Sequence, residues 1–140
     1  MTTLRELLDM QDDGQDKKRR KRSANEEHRM QCAEVRYIHA KHPELRHLFF
    51  AVPNGQKRTS MQTQWLKDEG LVPGVSDMIL LKSNSQHGYL CIENKTEKGR
   101  QSEEQKIFQE EVEKVGGKYI IIRSIDEFMN AIEQYLNGEL

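Results

Sequence analysis

Asp77 stands at the head of the apolar run Met78-Ile79-Leu80-Leu81, and Glu93 and Lys95 stand at the tail of Tyr89-Leu90-Cys91-Ile92. Two carboxylates brought together on a partly buried sheet repel, and one takes up a proton unless a cation neutralises the pair. No His or Cys lies beside them, and an all-oxygen donor set suits Mg2+ or Mn2+ rather than zinc, with waters and a substrate phosphate completing the shell. A cation held there lowers the pKa of a bound water and stabilises charge gathering on a phosphoryl oxygen. Lys95 would orient or help deprotonate the attacking water, or stabilise the pentacovalent phosphorus. Asn94 lies between Glu93 and Lys95, so its side chain turns to the other face and its backbone carbonyl is the part that can reach a metal.

The elements around these residues decide whether they meet. Residues 76–82 and 88–95 have the composition of buried strands, and the short polar loop 83–87 makes them an antiparallel hairpin. A five-residue loop sets Asp77 opposite Glu93 and puts Lys95 on the same face. Another closure sets Asp77 opposite Lys95 and keeps that face, and other shifts lose it.

Upstream, residues 25–42 favour a helix whose stripe is Glu27, Gln31, Glu34 and Ile38, ended by Pro43. Residues 45–52 read as a strand closed by Pro53-Asn54-Gly55, and residues 60–69 as a short helix stopped by Gly70. Downstream, Ser102 with Gln105 forms a capping box for a helix running to about residue 115. A buried strand over 118–123 follows, then a second capping box, Ser124 with Glu127, and a last helix carrying Phe128, Met129, Ile132, Tyr135 and Leu136. The expected fold class is α/β, a small mixed sheet flanked by helices, with the strand bearing Glu93 parallel to 118–123 across a helical crossover.

Composition narrows the function classes. A chain of 140 residues is one domain in size, and no apolar run reaches the roughly 18 residues of a membrane span. The first ten residues lack the apolar core of a secretory signal, so the expected location is cytoplasmic, with no membrane partner. Cys32 and Cys91, far apart and outside any paired motif, are expected to be buried, reduced thiols. The net charge of -1 conceals the run Lys17-Lys18-Arg19-Arg20-Lys21-Arg22 and an acidic later helix. Residues 1–23 are expected to form a flexible basic arm and 24–140 the folded domain.

An Asp…Glu-x-Lys pattern alone is weak in a sequence that is 32% charged. The order of turns, strands and capped helix around it resembles the PD-(D/E)xK nuclease superfamily. The residues that narrow the likeness are Glu27-x3-Gln31, Pro53-Asn54-Gly55, the segment 70–77, Ile92-Glu93-Asn94-Lys95, Gly99-Arg100-Gln101-Ser102, and Gln105 followed by Gly116-Gly117. Together they resemble the virus-type replication-repair nuclease (VRR-NUC) family over about residues 23–136. The resemblance implies a restriction-endonuclease-like core in which Asp77 and Glu93 bind metal, Lys95 is catalytic, and Glu27 and Gln105 support the site. It also implies structure-selective cleavage of branched or flapped DNA, with stand-alone members similar to homodimeric Holliday-junction resolvases, and a role in phage replication or repair. Ser76 occupies the place of the family's usual proline, which is expected to loosen the turn before Asp77. The same core also suits a restriction-like or exonucleolytic nuclease, and a noncatalytic DNA-binding protein is the reading from another class.

Lys57, Arg58, Lys98 and Arg100 fall in loops near the expected active-site edge and are the candidate DNA contacts, against a plain role in surface solubility. The run 17–22 suits phosphate contacts, a solvated tail or, in a eukaryotic host, an import signal. His39 and His42 have a metal-ligand spacing but no second cluster to complete it, so helix-terminal or solvent-facing roles are expected. Trp65 is expected in the core with Met61 and Leu66 rather than stacked on a base.

Overall fold

The computed structural model describes residues 4–53 and 58–140, with side chains described from residue 17 onward. Lys57 and the Asn54-Gly55 turn therefore lie outside the described residues. The elements are α1 (Leu4–Lys41), a 3-10 turn (Pro43–Leu45), β1 (Phe49–Ala51), α2 (Ser60–Asp68), β2 (Met78–Leu80), β3 (Leu90–Asn94), α3 (Glu103–Lys114), β4 (Lys118–Ile122) and α4 (Ile125–Leu136).

The sheet runs in the order β1-β2-β3-β4, with both neighbours of β2 antiparallel to it and β4 parallel to β3. The hairpin and the parallel crossover are those expected. Met78 pairs with Ile92, Ile79 with Cys91 and Leu80 with Leu90, so one step further Asp77 falls opposite Glu93. Strand alternation then separates two layers. Met78, Leu80, Leu90, Ile92 and Ile122 pack with Ile38, Phe128, Ile132 and Tyr135 under α1 and α4. Cys91 and Tyr119 pack with Val112 and Phe108 under α3.

Three elements differ from expectation. α1 begins at Leu4 rather than near residue 25, so the basic run 17–22 is helical and mostly exposed. Lys and Arg are good helix formers, and Arg22 finds an i,i+4 partner in Glu26 at 3.7 Å. β1 is confined to Phe49–Ala51, because Pro43 and Leu45 turn the chain through a 3-10 turn first. α2 has a capping box, Thr59 with Gln62, yet buries no residue, so Trp65 (72% exposed) and Met61 (78%) are surface residues rather than core.

The capping box of Ser102 and Gln105 forms as expected. The second is only half formed: Ser124 Oγ accepts from Glu127 N, but the Glu127 carboxylate accepts from Arg123 N, one residue short of the cap. At the far end of α1, Glu133 Oε1 accepts from Tyr37 OH at 2.6 Å, lies 2.7 Å from His42 Nε2 and pairs with Lys41 Nζ at 3.1 Å. His42 thus serves at a helix terminus, while His39 is exposed. Of the cysteines, Cys91 is buried as expected and Cys32 is only partly so, with Sγ 3.6 Å from His28 Nε2. No described helix is long and apolar enough to cross a membrane.

Candidate active site

Asp77 is held from both sides. Its carbonyl accepts from Val52 N at 2.8 Å beyond the end of β1, and its Oδ2 accepts from Asn94 N at 2.8 Å at the end of β3. The turn before it is tight. Gly74 has φ +87°, and a Cβ there would meet the Glu104 carbonyl at 2.5 Å and Gln105 N at 2.8 Å, so only glycine lets this turn rest on the first turn of α3. Ser76 is fully buried and its Oγ donates to Met78 O at 3.2 Å, so it fastens the turn that a missing proline was expected to loosen.

Glu93 is 2% exposed. Its Oε1 accepts from Gln105 Nε2 at 2.9 Å and lies 3.2 Å from Lys95 Nζ, and its buried Oε2 has no hydrogen-bond partner among the described residues. Gln105 therefore does two jobs: it completes the helix cap through Oε1 and grips Glu93 through Nε2. Burial, followed by the charge of Asp77, pushes the Glu93 carboxyl up to about 7. Burial also raises Asp77, opposed by the Asn94 amide and the Lys95 charge. Facing carboxylates raised by burial, Glu93 also by the charge of the other, are the kind of arrangement found at functional sites.

Glu27 projects from α1 toward the same end of the sheet. Burial raises its carboxyl, against the Lys95 charge and a backbone hydrogen bond from Thr96. Glu27, Lys95, Thr96, Met30 and Arg123 line a cleft of about 400 Å³ that does not reach Asp77 or Glu93. Arg123 was not a candidate from sequence, yet its guanidinium Nη1 donates to the carbonyls of Thr96 at 2.7 Å, Glu97 at 3.3 Å and Gly99 at 2.7 Å. It ties down the loop that carries Lys98 and Arg100. The available signal was a basic residue ending the strand parallel to the one that ends in Lys95. Both Lys98 and Arg100 are exposed, and Arg58 Nη2 donates to Pro53 O at 3.2 Å.

The structure thus gathers Asp77, Glu93, Lys95, Glu27 and Gln105 at one end of the sheet. The Asn94 side chain is buried on the opposite face, under α1. Among the described residues no three His, Cys, Asp or Glu side chains converge as a ready metal-binding group. Two carboxylates and a backbone carbonyl suit a cation that keeps several of its waters, and the unpartnered Glu93 Oε2 is the kind of atom it would satisfy.

The VRR-NUC domain model matches residues 12–126. The chain belongs to the VRR-NUC domain family. This VRR-NUC domain is also similar to a solved structure described as a VRR_NUC domain protein, at 20% identity and a TM-score of 0.70, over 79% of this chain and 88% of that one. That likeness supports the fold, an α/β core of the VRR-NUC type. No curated protein matches the chain. The VRR-NUC match begins at residue 12, inside the stretch expected to be an arm. Membership makes this a domain of a nuclease-type family, whose natural partner is DNA.

Proposed function

We propose that the chain is a Mg2+- or Mn2+-dependent endonuclease that hydrolyses phosphodiester bonds in branched or flapped DNA, in the manner of a Holliday-junction resolvase serving phage replication or repair. The observation that carries the reading is the antiparallel register, which sets the half-buried Asp77 across from the buried Glu93, beside a lysine. Asp77, Glu93 and the Asn94 carbonyl are the groups that would hold the cation. When bound, it supplies a more acidic water and neutralises charge on the phosphoryl oxygens.

The chain's own residues do the rest. Gln105 and Lys95 fix the Glu93 carboxylate by engaging the same oxygen, leaving the second free. Lys95, 13% exposed at its side chain, keeps a charge at the mouth of the site, where it orients water against a phosphate or offsets charge on the phosphorus oxygens. Glu27 faces Lys95 from α1 and helps aim it. Selectivity for branched DNA, and a two-fold pair of sites, rest on the family likeness.

The test is cleavage of a labelled four-way junction, a flap and a linear duplex in Mg2+, Mn2+ or EDTA, by the native protein and Asp77→Ala. Metal-dependent cutting of the junction, lost in the variant, is expected. Binding without cutting in either metal would turn the reading to a noncatalytic DNA-binding protein.

A further inference from the structure

Glu34 follows Glu27 on the inner stripe of α1 and is fully buried, in a layer otherwise made of residues such as Ile38 and Ile92. Neither of its carboxylate oxygens has a hydrogen-bond partner among the described residues. Asn94, 1% exposed, is the polar side chain that meets it from β3, and both atoms of its amide are likewise without a partner there. The two groups face each other without a hydrogen bond of ordinary geometry: burial pushes the Glu34 carboxyl up to about 8, the Asn94 amide opposes that rise, and the Asp77 charge adds to it. Buried polar groups are costly unless they engage something, and an apolar residue at either position would avoid the cost. A facing pair of them inside an apolar layer therefore calls for a role.

Asn94 supplies one. Its backbone N–H donates to Asp77 Oδ2 at 2.8 Å, and it sits between Glu93 and Lys95 at the last step of β3. Whatever fixes its side chain fixes the peptide unit that anchors Asp77 and spaces the other two. Both carboxylates come from α1, Glu27 beside Lys95 and Thr96 and Glu34 two turns on, beside Asn94.

We propose that Glu34 is a positioning residue that acts through the Asn94 side chain to hold the end of β3, and with it the Asp77 carboxylate, in register for catalysis. Its effect on turnover rests on the nuclease reading above; its effect on Asn94 does not. An outer partner of this kind orients ligands without touching the cation, and losing one lowers metal affinity or activity by about 10- to 100-fold.

The test uses the full chain with Glu34→Leu, Glu34→Gln, Asn94→Leu and the Glu34→Leu/Asn94→Leu pair. Leucine suits the apolar layer, glutamine keeps the shape and hydrogen-bonding capacity of the native side chain, and Asn94→Leu keeps the backbone N–H. The first readout is the 15N–1H spectrum and amide exchange of residue 94 in metal-free protein. Glu34→Leu is expected to move that signal and speed its exchange relative to other β3 amides, and Glu34→Gln to restore both. The second is DNA cleavage: Glu34→Leu should lower kcat by about 10- to 100-fold with KM for DNA unchanged and the Mg2+ midpoint raised. The pair should lose no more than either single change, since both act through one contact. Native exchange at residue 94 in Glu34→Leu, or loss in step with every β3 amide, would overturn the proposal. If the native protein cuts no DNA, the nuclease reading fails and the amide measurement still decides. Should Glu34→Leu not fold, Asn94→Leu is read in its place: native kcat and an unmoved Asp77 environment would overturn the proposal, and loss of both would support it.

Discussion

Glu93 carries the conflict that the site is built around. It is buried beside another carboxylate, with one oxygen occupied by Gln105 and Lys95 and the other unpartnered among the described residues. Glu93→Gln keeps the shape and removes the repulsion, so in EDTA this variant is expected to melt at or above the native temperature. In excess Mg2+ the order should reverse, because a ligand bound only by the native state stabilises it. Cleavage should fall about 100-fold or more, since a Lewis-acid contribution of several kcal/mol is lost. Scanning fluorimetry with and without Mg2+ checks the first part. A variant less stable than native in EDTA would mean that the Glu93 carboxylate stabilises the fold rather than straining it. Asp77, Glu93 and Lys95 were legible because acidic and basic residues at the ends of apolar strands stand out. Glu34 and Arg123 were not: one stands on an otherwise ordinary helix stripe, and the other's partners are carbonyls, which leave no trace in residue types.

Between elements, Gly74 joins the turn before Asp77 to the cap of α3, and Glu133 joins α4 to the end of α1. Gly74→Ala forces a positive φ on alanine and drives its Cβ into the Glu104 backbone, at a cost of about 2 kcal/mol or more. The melting temperature should drop by about 5 °C or more. Activity should fall further than stability accounts for, because the displaced cap carries Gln105 away from Glu93; equal kcat in the folded variant would break that link. The Glu133 carboxyl is held down at about 2, first by Tyr37 OH, then by His42, with Lys41 also pairing to it. A lowered folded value contributes stability above the usual glutamate range, lost as pH falls from about 4.5 toward 2. Its side chain is 36% exposed, so solvent screening limits that contribution to about 1 kcal/mol. Glu133→Gln should therefore be less stable than native at pH 7, and the gap should close by pH 2 to 3 in urea melts. A gap that stays constant across this range would assign the loss to packing. Helix caps and strand order were readable at this scale because Ser/Thr-x-x-Glu/Gln and apolar runs are local signals. The limits of β1 were not, since a 3-10 turn competed for Leu45, and Glu127 bonds one residue short of its expected donor.

At the scale of the whole molecule, a net charge of -1 gives no general attraction to DNA, so binding has to come from where cations are placed. Besides Lys57 and Arg58, the sequence marked two such places, the loop after Lys95 and the run at 17–22. Arg123 fixes the first through Thr96, Glu97 and Gly99, and α1 presents the second on a helix. The burial of Trp65 was misread for a related reason: helical spacing of Met61, Trp65 and Leu66 shows that apolar residues share a face, but not that the fold supplies anything to cover it. A loop held in shape by an arginine spends less entropy on a phosphate than a chain ordered only on contact. Lys98→Ala and Arg100→Ala, each in a Glu93→Gln background without metal, should therefore lower the slope of log affinity against log salt by about 1 apiece. Neutralising Lys17–Arg22 should change the slope less per charge, since all six side chains are exposed and, among the described residues of α1, packing against the core begins at Met30. Fluorescence anisotropy on a junction across a salt series measures all of these slopes. Native slopes for both loop variants would move the phosphate contacts off this loop, and a larger change per charge from 17–22 would make the helix the principal grip on DNA.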